Sequence, residues 1–225
     1  MLLLQLVSCL IQIFLYFLRP PEGGLMTPNN KYEIPFSHYA QRYSQLDPKE
    51  TAERCGIVFD GEKGEFSLRL MGQPVRLAWP EFQVTEGDLP GPARILLMRY
   101  LLEGRFLPSQ GKFLSYREMP WGSVYDQNFQ GRCIRRLARS FTLESFVSGM
   151  EHLKAQPISG GDRGYEFPFL EGLLLRFLLW EGDEEFPPSA QILFSDNFPL
   201  AFTAEDMAVV GDISIGFLRG AVDTK

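Results

Sequence analysis

Histidine is nearly absent from this chain, with only His38 and His152 in 225 residues. That excludes a site built on several imidazoles, and a Ser-His-Asp arrangement would have to use one of these two. Cysteine is as sparse: Cys9, Cys55 and Cys133 are odd in number and far apart. Their spacing argues against a disulfide framework and against a cysteine-held zinc or iron–sulfur centre within one chain, and it points to a reducing, cytoplasmic compartment. No Gly-rich P-loop is present and no dinucleotide fingerprint opens a helix after a strand, so phosphate-specific loops are missing too. Basic side chains are missing from one long stretch. From Phe177 to Leu218 there are eight acidic residues and no Lys, Arg or His, so this segment carries -8 of a net charge of -6 and the rest sums to +2. A block of one sign sets a local field and a choice of partner. The acidic balance argues against general nucleic-acid binding, which needs a basic face against phosphates.

What is present suffices for a core: 45% of the residues are hydrophobic, enough for a domain that folds without staples. Met1 to Leu18 is apolar apart from Gln5, Ser8 and Gln12 and ends at Arg19-Pro20-Pro21. This length just reaches that of a bilayer-spanning helix, yet a basic start and a small-residue cleavage site are both lacking. Two readings stand: a membrane anchor, giving membrane contact only if residues 1 to 18 are retained, or an extension upstream of a start at Met26. The expected division is an N-terminal extension over 1–25, a linker over 26–35, a single domain over 36–219 and a tail over 220–225.

Within that domain the pattern predicts helix from about His38 to Arg54, interrupted at Asp47-Pro48, where Asp47 caps a second helix. Gly56 to Asp60, Glu65 to Leu70 and Pro74 to Trp79 alternate with period two and predict a three-stranded antiparallel meander. Pro92 to Glu103 reads as a core helix opened by Asp88 and carrying an Arg99–Glu103 pair. Lys112 to Glu118 reads as a strand. From about Phe129 a helix places Ile134, Leu137, Ala138 and Phe141 on one face and Arg132, Arg135, Arg136 and Arg139 on the other. Thr142 caps the next helix. Tyr165 to Phe169 and Leu173 to Trp180 read as strands, the latter covered on both faces, Gln191 to Phe194 as a short strand, and Ala204 to Leu218 as a closing helix capped by Thr203. Strand groups alternate with helix groups without regular strand-helix-strand units. The fold class expected is therefore α+β, an antiparallel or mixed sheet with helices packed on it.

The stretch from Leu178 through Trp180-Glu181-Gly182-Asp183-Glu184-Glu185-Phe186-Pro187-Pro188 to Ile192-Leu193-Phe194 and Glu205-Asp206 resembles domain-of-unknown-function family 3786. Further likeness lies in Cys55-Gly56, Asp60, Gly64-Glu65-Phe66 and Gly111 to Pro120, and it extends over roughly residues 32 to 219. The resemblance implies one domain with an N-terminal appendage and a setting in anaerobic bacteria and archaea. Some relatives add an iron–sulfur domain like that of corrinoid iron–sulfur proteins. This chain departs from those, because its cysteines cannot supply the cluster. No activity or cofactor is implied.

Four features carry candidate chemistry. Arg132, Arg135, Arg136 and Arg139 repel one another unless an anion answers them, and guanidinium suits carboxylate or phosphate. They pair with the chain's own acidic segment, stay solvated, or receive an anionic small molecule. Glu181, Asp183, Glu184 and Glu185, with Asp196, form either a solvated turn, a divalent-metal site built on carboxylate oxygens, or a surface for a protein partner. Cys55 is a small buried residue, a metal ligand or a reactive thiol. Arg117-Glu118 is a local ion pair or lines a pocket. The leading expectation is a cytoplasmic accessory or binding protein of anaerobic metabolism, linked through the resemblance to corrinoid or iron–sulfur enzymes. The alternative is a small metal-dependent hydrolase using the acidic cluster.

Overall fold

The computed structural model describes residues 33–223. The apolar run Met1–Leu18, Cys9 and the linker up to residue 32 lie outside the described residues. Helix α1 (Glu33–Tyr43) begins inside the expected linker. It ends at Tyr43, and after a short turn Asp47 caps α2 (Pro48–Cys55). The Asp47 carboxylate accepts the N–H groups of Lys49 and Glu50, both at 2.9 Å, which satisfies two of the donors that open a helix.

The meander follows as β1 (Val58–Asp60), β2 (Glu65–Leu70) and β3 (Gln73–Ala78), and it gains a fourth strand, β4 (Gln83–Glu86), that the sequence pattern did not reveal. After the core helix α3 (Gly91–Glu103), the expected strand at Lys112 to Glu118 is cut to β5 (Phe113–Ser115). The chain then tightens into a 3-10 turn, Tyr116–Glu118, because the Glu118 carboxylate accepts both the N–H and the hydroxyl of Ser115 at 2.7 Å. The arginine helix starts seven residues before the expected point, as α4 (Gly122–Phe129), a π-helical turn (Gln130–Ile134) and α5 (Arg135–Ser140). Its start depends on Gly122, where a β-carbon would lie 1.8 Å from the Tyr116 carbonyl oxygen. Then come α6 (Leu143–His152), capped by Thr142, β6 (Gln156–Ile158), β7 (Arg163–Leu170), β8 (Leu173–Trp180) and β9 (Ser189–Ser195). A short α7 (Phe198–Ala201) leads to the closing helix α8 (Ala204–Asp223), which runs on into the expected tail.

All strand pairs are antiparallel, in the order β4-β3-β2-β7-β8-β9-β5, with β1 on β2 and β6 on β7. The meander joins the second sheet half at a single pair, Leu70 opposite Leu170. This is an α+β domain, as the alternation of strand and helix groups led one to expect. Leu173, Leu175, Phe177 and Leu179 of β8 point into a core shared with the helices, where Tyr116 and Phe129 stack at 4.0 Å. On the opposite row Leu178 is buried and Leu174, Arg176 and Trp180 are half-buried, so the expected cover on both faces is fuller on the helix side than on this one. That row is shielded by cross-strand neighbours, since the Arg176 guanidinium lies 3.6 Å from the Phe113 ring and binds Glu166 at 2.8 Å. A continuous apolar run signals burial, and it does not say whether a helix or the sheet's own side chains provide it.

Candidate functional site

The sheet and the closing helix leave a groove of about 640 Å³ between them, within the size range of small-molecule sites. One wall is the end of β2 with β3, another the turn Gly87 to Pro92, and the third α8 through Ile213, Gly216 and Phe217. The turn must approach β3 closely. A side chain at Gly87, at φ +94°, would place its β-carbon 2.8 Å from the Pro74 carbonyl oxygen. Gly216 is different, because a β-carbon there would meet nothing within 4 Å. Glycine in a helix interior is destabilising by about 1 kcal/mol relative to Ala, and no packing contact among the described residues requires it at that position. Its effect is to leave the groove open.

The groove also carries charge. Arg136 and Asp212 both line it, and the Asp212 carboxylate accepts one N–H from Arg136 and, at 2.9 Å, one from Arg132. Half of the arginine stripe thus meets the acidic Phe177–Leu218 segment of its own chain, through a residue that sequence reasoning did not single out. A signal existed: Arg132 and Arg136 stand one turn apart on the same helix face, a spacing that needs a shared anion. Arg136 keeps further N–H donors, since a guanidinium has five. Glu86 and Asp88 line the groove as well, with Glu86 paired to Arg76 at 2.8 Å.

The other candidates separate. Arg135 and Arg139 are exposed, the latter beside the acidic loop. In that loop the Asp183 carboxylate accepts the N–H groups of Glu185 and Phe186 at 2.8 and 2.7 Å, bonds that hold its pKa below the usual range and make it the organiser of a turn. Glu181, Glu184 and Glu185 are exposed around it. Asp196 lies at the far end of β9, roughly 20 Å along the strand at 3.3 Å per residue, where the Ser109 hydroxyl at 2.6 Å and the Gln110 N–H depress its pKa. Among the described residues no group of three or more His, Cys, Asp or Glu is placed to hold a metal ion. The expected Arg99–Glu103 pair does not form. Arg99 binds Asp206 at 3.0 Å and Glu103 binds Arg42 at 2.8 Å. Arg117 is exposed, and Glu118 is spent on Ser115.

Cys55 is buried, its Sγ 3.6 Å from the carbonyl oxygens of Tyr100 and Gly104. Burial pushes its thiol up to about 11, and that of Cys133 to about 12. Neither is a thiolate near neutral pH, so neither is an activated nucleophile. Both should resist a thiol-specific reagent until the chain unfolds, and labelling of either at the rate of a free thiol would show an open pocket. Unfolded thiols ionise near pH 9.0 while the folded ones stay protonated. Stability should therefore be intact below about pH 9 and fall as pH rises beyond it, readable as a declining urea midpoint.

The sequence model of a family described as Domain of unknown function (DUF3786) matches residues 47–216. No curated protein and no solved structure gives a significant match.

Proposed function

The chain belongs to the DUF3786 family, and on that footing we propose that it is a non-catalytic binding protein whose ligand occupies the groove beneath α8. The observation that carries this reading is the open space over Gly216, bordered by an apolar wall and by Arg136, with Asp212, Glu86 and Asp88 also in the lining. An apolar body with a carboxylate or similar anionic group fits such a surface: the wall takes the body, and the spare donors of Arg136 take the anion. Among the described residues the buried, protonated thiols and the exposed histidines supply no nucleophile beside a base, which supports binding over catalysis. The family resemblance supports an accessory role in anaerobic metabolism, alongside corrinoid or iron–sulfur enzymes, and the sparse cysteines support a cytoplasmic setting.

The test is a calorimetric or ligand-observed NMR screen of aryl and alkyl carboxylates against the parent and Gly216→Trp. The indole should fill the groove without displacing a protein atom and abolish saturable binding. Gly216→Ala should raise stability by about 0.5–1 kcal/mol, the usual gain in a helix interior. Undiminished binding by a folded Gly216→Trp would move the site elsewhere.

A further inference from the structure

We propose that the concavity between the α5–α6 turn and the loop after β8 binds a small zwitterion, a quaternary ammonium group tethered to a carboxylate. The concavity measures about 470 Å³, within the range of small-molecule sites. Three aromatic rings line it: Phe141 from the turn between the helices, Trp180 from the last position of β8 and Phe186 from the loop. Phe141 makes its ring contact with Phe146, and Trp180 and Phe186 make none among the described residues, so no two of the three are stacked on each other. The loop that carries Phe186 is closed upon itself. The Asp183 N–H donates to the Phe186 carbonyl at 2.8 Å, and the Asp183 carboxylate accepts the Phe186 N–H at 2.7 Å. Gly182 lies so near Pro188 that a β-carbon would come within 2.6 Å of the proline nitrogen, and the Glu181 N–H is tied to the Asp162 carboxylate at 2.8 Å. Phe186 is thus presented at 66% exposure by a fixed turn, with apolar surface that a ligand would remove from water.

Charge selects the ligand. Arg139, Glu181 and Asp183 line the same concavity as the rings, yet none of them joins an ion pair among the described residues. The N–H groups of Phe186 and Glu185 hold Asp183 ionised below the ordinary carboxylate range. Arg42, Arg99 and Arg176 each lie over an aromatic ring, and Arg139 lies over none. The chain therefore leaves the rings and two carboxylates of this cavity without a cation, and its guanidinium without an anion. A trimethylammonium group answers the first need, because its diffuse charge is drawn to ring faces and asks for no hydrogen bond. A carboxylate answers the second through the parallel N–H donors of Arg139. A simple cation would be opposed by Arg139, and a simple anion by Glu181 and Asp183. A molecule that carries both charges meets neither objection.

Calorimetric titration of the full chain with glycine betaine and with the longer γ-butyrobetaine should show saturable binding of at least one. Its neutral isostere, in which carbon replaces the quaternary nitrogen and the carboxylate is kept, should bind at least about tenfold more weakly. Phe186→Ala and Arg139→Gln should each raise the Kd for the betaine by at least about fivefold. Both side chains are exposed, so circular dichroism should show both variants folded. Choline, a cation without the carboxylate, separates the two roles: Phe186→Ala should weaken its binding and Arg139→Gln should not. No saturable binding of either betaine at tens of millimolar, an isostere that binds as tightly as its betaine, or folded variants that both leave the Kd unmoved would each overturn the proposal.

Discussion

Replacing Phe177 by Asp is expected to abolish the cooperative unfolding transition and leave insoluble or loosely collapsed protein. Phe177 is wholly buried at the middle of β8, opposite Tyr165 on one side and Ile192 on the other, with its ring edge-on to Phe167 at 4.9 Å. Removing a buried aromatic ring costs about 3–5 kcal/mol, and an unpaired carboxylate in its place adds several more, or the cost of protonating it. Together these consume the roughly 5–15 kcal/mol by which domains are stable. Leu178→Asp, one residue on, should behave differently. Leu178 faces the other side of the sheet at 8% exposure, against the positions of Gly160 and Gly164, where a carboxylate can turn toward water. That variant should remain folded with a lowered urea midpoint. A soluble, native-like Phe177→Asp protein, or two variants with the same behaviour, would show that the helices do not seal this face.

The contrast between these neighbours marks how far the sequence was legible. Signals contained in a few consecutive residues were readable: the stop at Asp47-Pro48, the cap at Thr142, the period-two runs around Gly64 and Gly72, and the closing helix after Thr203. Features decided by distant residues were not. The start of α4 depends on how tightly Gly122 packs on the Tyr116 carbonyl, and the strand β4 on pairing with β3 across a bulge. Arg99 and Glu103 stand at helical spacing, yet such a pair is worth only about 0.3–0.5 kcal/mol, and partners from other helices displaced it. The groove is the extreme case. Its walls come from Val75, the turn at Gly87 and Gly216, positions that share no local pattern, and its opening rests on a glycine that reads in isolation as a helix weakness. The arginine stripe was visible as four charges, but which two of its members pair with a carboxylate depended on the position of Asp212.

Asp206→Ala is expected to destabilise the domain by about 3 kcal/mol, because one carboxylate serves two structures at once and a broken buried pair costs 3–5 kcal/mol before discounting partial exposure. Asp206 is 5% exposed in the first turn of α8. One of its oxygens accepts the Thr203 N–H at 3.1 Å and the Thr203 hydroxyl at 2.7 Å, while the Thr203 oxygen accepts the Asp206 N–H at 3.3 Å, closing a reciprocal cap. Loss of such a cap alone is worth about 1 kcal/mol. The other oxygen holds Arg99 at 3.0 Å. Arg99 packs with its guanidinium 5.5 Å from the Tyr39 ring, and its Nε is buried without an acceptor among the described residues. Deprived of Asp206, it would be a largely buried cation with no anion. Asp206→Asn keeps an acceptor for the cap and loses the charge, so it should fall between the parent and the Ala variant. Arg99→Met removes the stranded cation, and in its background the Ala change should cost little more than the cap, a coupling of about 1–3 kcal/mol. Asp212→Ala, at a more exposed carboxylate, should cost only about 1 kcal/mol. Urea midpoints at constant m-value would measure the series. If Asp206→Ala proved no worse than Asp212→Ala, the Arg99 pair would be an ornament of the surface and the seam between α3 and α8 would be held by its apolar contacts alone.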